Sequence, residues 1–102
     1  MEAVQAFAPI SASTTTIAVT TSSAATQVNP APGSPRLRLY NAGPSTVFVE
    51  FGNASVAAAV ATGLPIPSGQ TEVFSMSRAT HLAAICPASG SATLYATPGE
   101  GI

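Results

Sequence analysis

Charge is what this sequence has least of. Of its 102 residues 7% are charged, and it has no lysine, no aspartate and no tryptophan. A typical soluble domain is about 25% charged. Glu2, Glu50, Glu72 and Glu100 stand against Arg36, Arg38 and Arg78, for a formal net charge of −1. Three arginines can neutralise few phosphates, which argues against nucleic acid as a partner. The exterior must then be covered mainly by Ser, Thr, Ala and Gly. Near-neutral particles associate, so such a surface suits a chain packed against copies of itself or against a larger lattice. Disorder does not fit: disordered chains combine low hydrophobicity with high charge, and 46% of this chain is apolar.

The chemistry-bearing residues are equally scarce. Cys86 is the single cysteine, so no intrachain disulfide forms. One His, one Cys and four scattered Glu give no zinc spacing and no clustered carboxylates for calcium. Without aspartate a Ser-His-Asp triad cannot be built, and no G-x-S-x-G occurs. His81 and Cys86 are an odd number of positions apart, so on one strand they point to opposite faces, which defeats a Cys-His dyad. Glu50 and Glu72 read as solvated acids, paired with Arg36 or Arg38 across strands rather than acting as a catalytic carboxylate pair. The Asn53-Ala54-Ser55 triplet is a chance glycosylation match on a loop. No apolar run approaches the roughly 18 residues a spanning helix needs, and no signal peptide is expected. The expectation is a cytoplasmically made protein with no membrane, no cofactor, no metal and no catalytic residue, working through its surfaces.

What the sequence does contain is a series of short β-type runs between turn clusters. Residues 1–13 (MEAVQAFAPISAS) read as an extended arm anchored by Val4 and Phe7. Residues 14–21 (TTTIAVTT) place Ile17 and Val19 on one face, and residues 24–28 form a further run that pairs next. The segment 29–35 (NPAPGSP) is a rigid loop, because its prolines forbid helix and central strand. Residues 36–41 (RLRLYN) alternate: Leu37 and Leu39 point one way, Arg36, Arg38 and Tyr40 the other. A turn at 42–45 (AGPS) leads to 46–51 (TVFVEF), where Val47, Val49 and Phe51 oppose Phe48 and Glu50. Two such runs make a hairpin or a β-arch with one buried face. Residues 53–63 are expected as a loop with a weak edge strand, and 64–69 (LPIPSG) as a turn anchored by Ile66. Runs at 71–76, 81–86 and 92–97 complete the set, and PGEGI is a stop. The fold class is therefore all-β: a small antiparallel β-sandwich or barrel of seven or eight short strands. It divides into the arm (1–13) and a single domain (14–102).

The stretches RLYNAGPSTVFVEFGNASVAA, GLPIPSGQTEVFSM and HLAAICPASGSATLYATPGEG resemble small virion proteins of tailed bacteriophages. In these a strand ending NAG leads to VFVEFG, a P-x-P-x-G turn precedes an E-V-F strand, and the end reads A-x-LY-x-TPGEG. The likeness covers residues 36–101 and is one of strands and turns, not of a chemical motif. It implies a virion location and a structural role as a capsid decoration (cement) protein, a head-to-tail accessory protein or part of a fibre. The implied partners are the major capsid protein or other virion proteins. Homo-oligomers are expected too, trimers being what three-fold lattice sites imply. Decoration is the first expectation, with the arm acting as a clamp by strand addition. Candidate partner contacts are Val4, Phe7, Ile17, Val19, Arg36, Arg38, Tyr40 and Phe48. The competing expectation is a host-surface or carbohydrate-binding module, for which Tyr40, Phe48 and Tyr95 are the candidate exposed aromatics.

Overall fold

The computed structural model describes residues 7–10, 13–28, 36–76 and 79–100. Among these there is no helix, and nine strands run in order: β1 (Ala8–Pro9), β2 (Thr15–Val19), β3 (Ala24–Gln27), β4 (Arg36–Pro44), β5 (Val47–Gly52), β6 (Leu64–Ile66), β7 (Thr71–Ser75), β8 (His81–Ile85) and β9 (Ala92–Glu100). They form two antiparallel sheets. Sheet A runs β1-β9-β4-β7, with β2 also on β9, and sheet B runs β3-β8-β5-β6.

The pairing is nested. β2 lies on β9, β3 on β8, β4 on β7 and β5 on β6, as in one long hairpin whose tip is the β5–β6 connection. That hairpin is wrapped on itself, and the wraps are closed by β4 on β9 and β5 on β8. Eight strands in two sheets with this order form a jelly roll, with β1 as an extra strand. From β2 onward, successive strands therefore alternate between sheets except at β5–β6, the tip of the hairpin. Residues 36–51 make a β-arch from sheet A to sheet B, not a hairpin, and β3 pairs with β8, not with β2.

Period-two alternation fills the space between the sheets. Ile17, Val19, Leu37, Leu39, Met76, Ala92, Leu94 and Ala96 line it from sheet A, and Val28, Val47, Val49, Ile66, Leu82, Ala84 and Cys86 from sheet B. Phe51 and Phe74 meet across the gap in a tilted pair with centroids 5.4 Å apart, a geometry that favours aromatic contact.

Four stretches depart from the sequence expectation. Residues 64–66 are an edge strand on β5 and not only a turn, because Val47 and Val49 offer a paired edge to Ile66 and Leu64. Residues 53–63 carry no strand; the loop folds back so that a Cβ on Gly63 would lie 2.9 Å from the Cβ of Phe48. Pro98–Glu100 belong to β9, where β1 pairs with Glu100 and Gly99. β4 also outruns its expected end, through a register shift between Asn41 and Pro44.

Candidate interaction face

The outer surface of sheet A is where the described residues concentrate recognition chemistry. Register sets it out in cross-strand rows. One row is Thr16, Tyr95, Tyr40 and Thr71, from β2, β9, β4 and β7. The next is Thr97, Arg38 and Val73, with Thr14 joined to it through a 2.8 Å hydrogen bond between its Oγ1 and that of Thr97. A third is Pro9, Gly99, Arg36 and Ser75.

Tyr40 and Tyr95 form the centre. Their rings stack with centroids 6.1 Å apart and planes 18° apart, and Tyr95 is 36% exposed. Neighbouring strands hold both residues at the same level, so they make one aromatic pair with Thr16 and Thr71 on either side. Among the described residues, the charges that register places on this face are Arg36 and Arg38. Such composition matches the core of a protein interface, which is poor in acids and lysine and rich in Tyr and Arg.

At the β1 end Phe7 supplies a further aromatic. A Cβ on Gly99 would lie 2.6 Å from its Cζ and 2.8 Å from its Cε1, so the ring occupies the space a side chain at 99 would need. Ile10 N–H donates to Pro98 O at 2.9 Å, continuing the β1 pairing. The chain then gains three residues on β9: Ala8 aligns with Glu100, but Thr15 aligns with Ala96.

The remaining candidate contacts divide. Arg36, Arg38, Tyr40 and Phe7 lie on this face. Val4 is outside the described residues. Ile17 and Val19 are not surface contacts: they are 7% and 3% exposed and belong to the core, because β2 turns its odd-numbered side chains between the sheets. Phe48 is half-buried on the opposite sheet beside Gly63. The loop carrying Gly63 is tied down where Ala58 N–H donates to Ser23 Oγ at 2.8 Å, so the outer face of sheet B is partly covered by the chain itself. Tyr95 enters the sequence reading only as a candidate exposed aromatic for carbohydrate, and the threonine rows do not enter it at all. Their signal was the strict alternation of residues 92–97.

His81 and Cys86 do not form a reactive pair. Thr80 Oγ1 and His81 Nδ1 are 2.8 Å apart at the start of β8. Cys86 is buried beyond the other end of that strand, with Sγ 4.0 Å from Val19 O. Burial pushes its thiol pKa up, away from the thiolate needed for nucleophilic attack. Glu50 lies in sheet B and Glu72 in sheet A, where Glu72 aligns with Leu39 and so has the face parity opposite to Arg38. Among the described residues no group of three or more His, Cys, Asp or Glu comes together to hold a metal ion.

Comparison with protein-family models, with curated proteins and with solved structures found no match to this chain.

Proposed function

We propose that the chain is a non-enzymatic structural subunit of a bacteriophage particle, made in the host bacterial cytoplasm. In this reading it decorates the head shell through flat faces, sheet edges and its N-terminal arm. The observation that carries the reading is the outer face of sheet A: two stacked tyrosines among threonines, on a chain too poor in charge to keep neighbours away. Interface energy concentrates on a few residues, with Tyr and Arg prominent among them. The jelly-roll wrap agrees at the level of analogy, since viral capsid domains use it, as do lectins and cupins. The major capsid protein is the proposed partner, and other virion positions at the connector, tail or fibre are the nearest alternative.

The test is cosedimentation of the full chain with purified phage heads that lack it, counting bound copies. Hundreds of copies per particle are expected. Changing Tyr40 and Tyr95 together to Ser should lower affinity roughly tenfold or more, since losing one interface anchor costs about 2 kcal/mol or more. Absence of binding to heads would overturn decoration, and a handful of copies would move the protein to the connector or tail.

A second reading is favoured by one feature, the stacked pair of half-buried Tyr40 and exposed Tyr95 on the outer face of sheet A. Flat aromatic platforms stack against the apolar faces of sugar rings, and lectins also use this wrap. Titration of the isolated domain with neutral polysaccharides separates the two. Saturable binding that is lost in the double Ser variant would favour a carbohydrate-binding module.

A further inference from the structure

The two sides of the sandwich are guarded differently. On one side the edge strands are β6, which contains Pro65 and is followed by Pro67, and β7, which carries Glu72. Proline and charge are the usual devices that stop an edge from pairing with another chain. On the other side sheet A ends in β1, which contains Pro9, and β2 (TTIAV), and sheet B ends in β3 (AATQ); β2 and β3 carry neither charge nor proline. Ala24, Ala25 and Gln27 of β3 are exposed.

The hydrogen-bond parity of β3 is fixed by its neighbours. Val28 N–H donates to Thr80 O at 3.0 Å, and Cys86 N–H donates to Thr20 O at 2.8 Å. Even-numbered residues of β3 and β8 therefore turn their backbone groups toward each other. Ala25 and Gln27 turn their N–H and C=O to the edge that no described strand pairs.

We propose that β3 is a pairing edge between two copies of this chain, joined antiparallel about a two-fold axis at Thr26. In that register Ala25 of one copy lies opposite Gln27 of the other, the outward pair on each side meeting the outward pair of its mate. Thr26 faces its own copy across a non-hydrogen-bonded position, an arrangement in which threonine side chains interact favourably. The two four-stranded B sheets become one continuous sheet. A second copy is the occupant because the edge is self-complementary and carries no charge to repel its image. The contact is isologous, so it closes at the dimer and does not propagate. Pro30 and Pro32 follow closely in sequence and have no N–H to extend it.

The pairing is independent of the virion reading, since it needs no shell. It is tested on the full chain by light scattering with size exclusion, with circular dichroism to follow the fold. The wild type should show twice the chain mass of 10.1 kDa. Ala25→Pro removes only an N–H that the folded monomer does not use, and should return the mass to that of one chain with the melting curve of the fold retained. Thr26→Cys should give a disulfide-linked dimer on mild oxidation, whereas Gln27→Cys, opposite Ala25 of the other copy, should not. A monomeric wild type, an Ala25→Pro dimer, or equal cross-linking of the two cysteine variants would each overturn the proposal. A monomer that still binds heads would sink this pairing and leave the virion reading standing.

Discussion

Asn41 gives the sharpest test of how this fold is held. Its side chain follows Leu37 and Leu39 on the inward face of β4 and is 0% exposed. Nδ2 donates to Ser45 O at 2.9 Å and to Ile66 O at 2.8 Å, and Oδ1 accepts from Gly43 N–H at 2.7 Å. Its backbone is also committed: the N–H donates to Gln70 O at 3.0 Å and the carbonyl accepts from Gly69 N–H at 2.7 Å. One residue thus ties together the arch between sheets, strand β6 and the turn before β7. Asn41→Ala leaves Ile66 O and Gly43 N–H buried without their partner, while the half-buried Ser45 O can recover water. Two orphaned groups at about 1–3 kcal/mol each predict a loss of roughly 3–4 kcal/mol. That is a large share of the 5–15 kcal/mol typical of a domain, and at about 4–8 °C per kcal/mol it lowers Tm by roughly 12–30 °C. Urea unfolding followed by circular dichroism measures it, as a fall in midpoint at unchanged slope. Asn41→Asp adds a sign test. Its carboxylate would face two carbonyls, which raises its folded pKa above the unfolded value of about 3.9. The added penalty is complete above the folded pKa and shrinks as pH falls through it, because the neutral acid can donate. A loss below about 1 kcal/mol for Asn41→Ala would refute the account of Asn41 as the tie between the sheets.

Two further outcomes follow from single sites. Cys86 should resist alkylation at pH 8 in buffer and react only as urea unfolds the chain. Its folded thiol pKa is raised by burial, so this contribution to stability is whole below the unfolded thiol pKa and is lost as pH rises through the folded one. Rapid labelling of the native protein would contradict that burial. Gly99→Val should displace Phe7 and β1 from β9, since a Cβ there has no room beside the Phe7 ring and Ala8 O. Hydrogen exchange should then show loss of protection at the Ile10 amide, with the core strands unchanged; a protected Ile10 would show that β1 tolerates the side chain.

The sequence made faces legible, but not partners. Strict alternation in residues 36–41 and 46–51 marks Leu37, Leu39, Val47 and Val49 as inward, and all four are fully buried. Period two says which way a side chain points and is silent about which strand lies beside it. Adjacent runs suggested a hairpin or an arch at 42–45, and only the nested pairing of distant strands decides for the arch. Proline drew residues 64–66 and 98–100 toward turn and terminus, yet both segments pair, because Pro65 lies on an edge strand and Pro98 near the end of β9. Asn41 carried a readable signal, a polar residue at inward parity just before Gly43 and Pro44. Its partner in β6 is far away in sequence, so what it bonds could not be read. The Tyr40–Tyr95 pair was unreadable for the same reason: each tyrosine is visible, but their adjacency depends on β4 lying beside β9.

The arm is where the proposed role and the fold constrain each other most tightly. Residues 1–13 were expected to reach a shell as one clamp, but Ala8–Pro9 and Ile10 already hydrogen-bond to β9 of their own domain, and Phe7 fills the space above Gly99. Deleting 1–13 would therefore remove a reaching segment and also strip the end of β9, so weaker shell binding could have either origin. Two deletions separate them. Removing residues 1–6 leaves β1 and the Phe7 contact in place; removing 1–13 also opens the backbone of Pro98–Glu100 to any strand nearby. If the clamp lies ahead of Phe7, both truncations should lose occupancy on heads to the same extent, with equal melting temperatures for the core. If residues 7–10 serve only to seal β9, the shorter truncation should bind like the full chain, and the longer one should self-associate through the bared edge. Full occupancy by both would refute the arm as a contact and leave the tyrosine face to carry the binding alone.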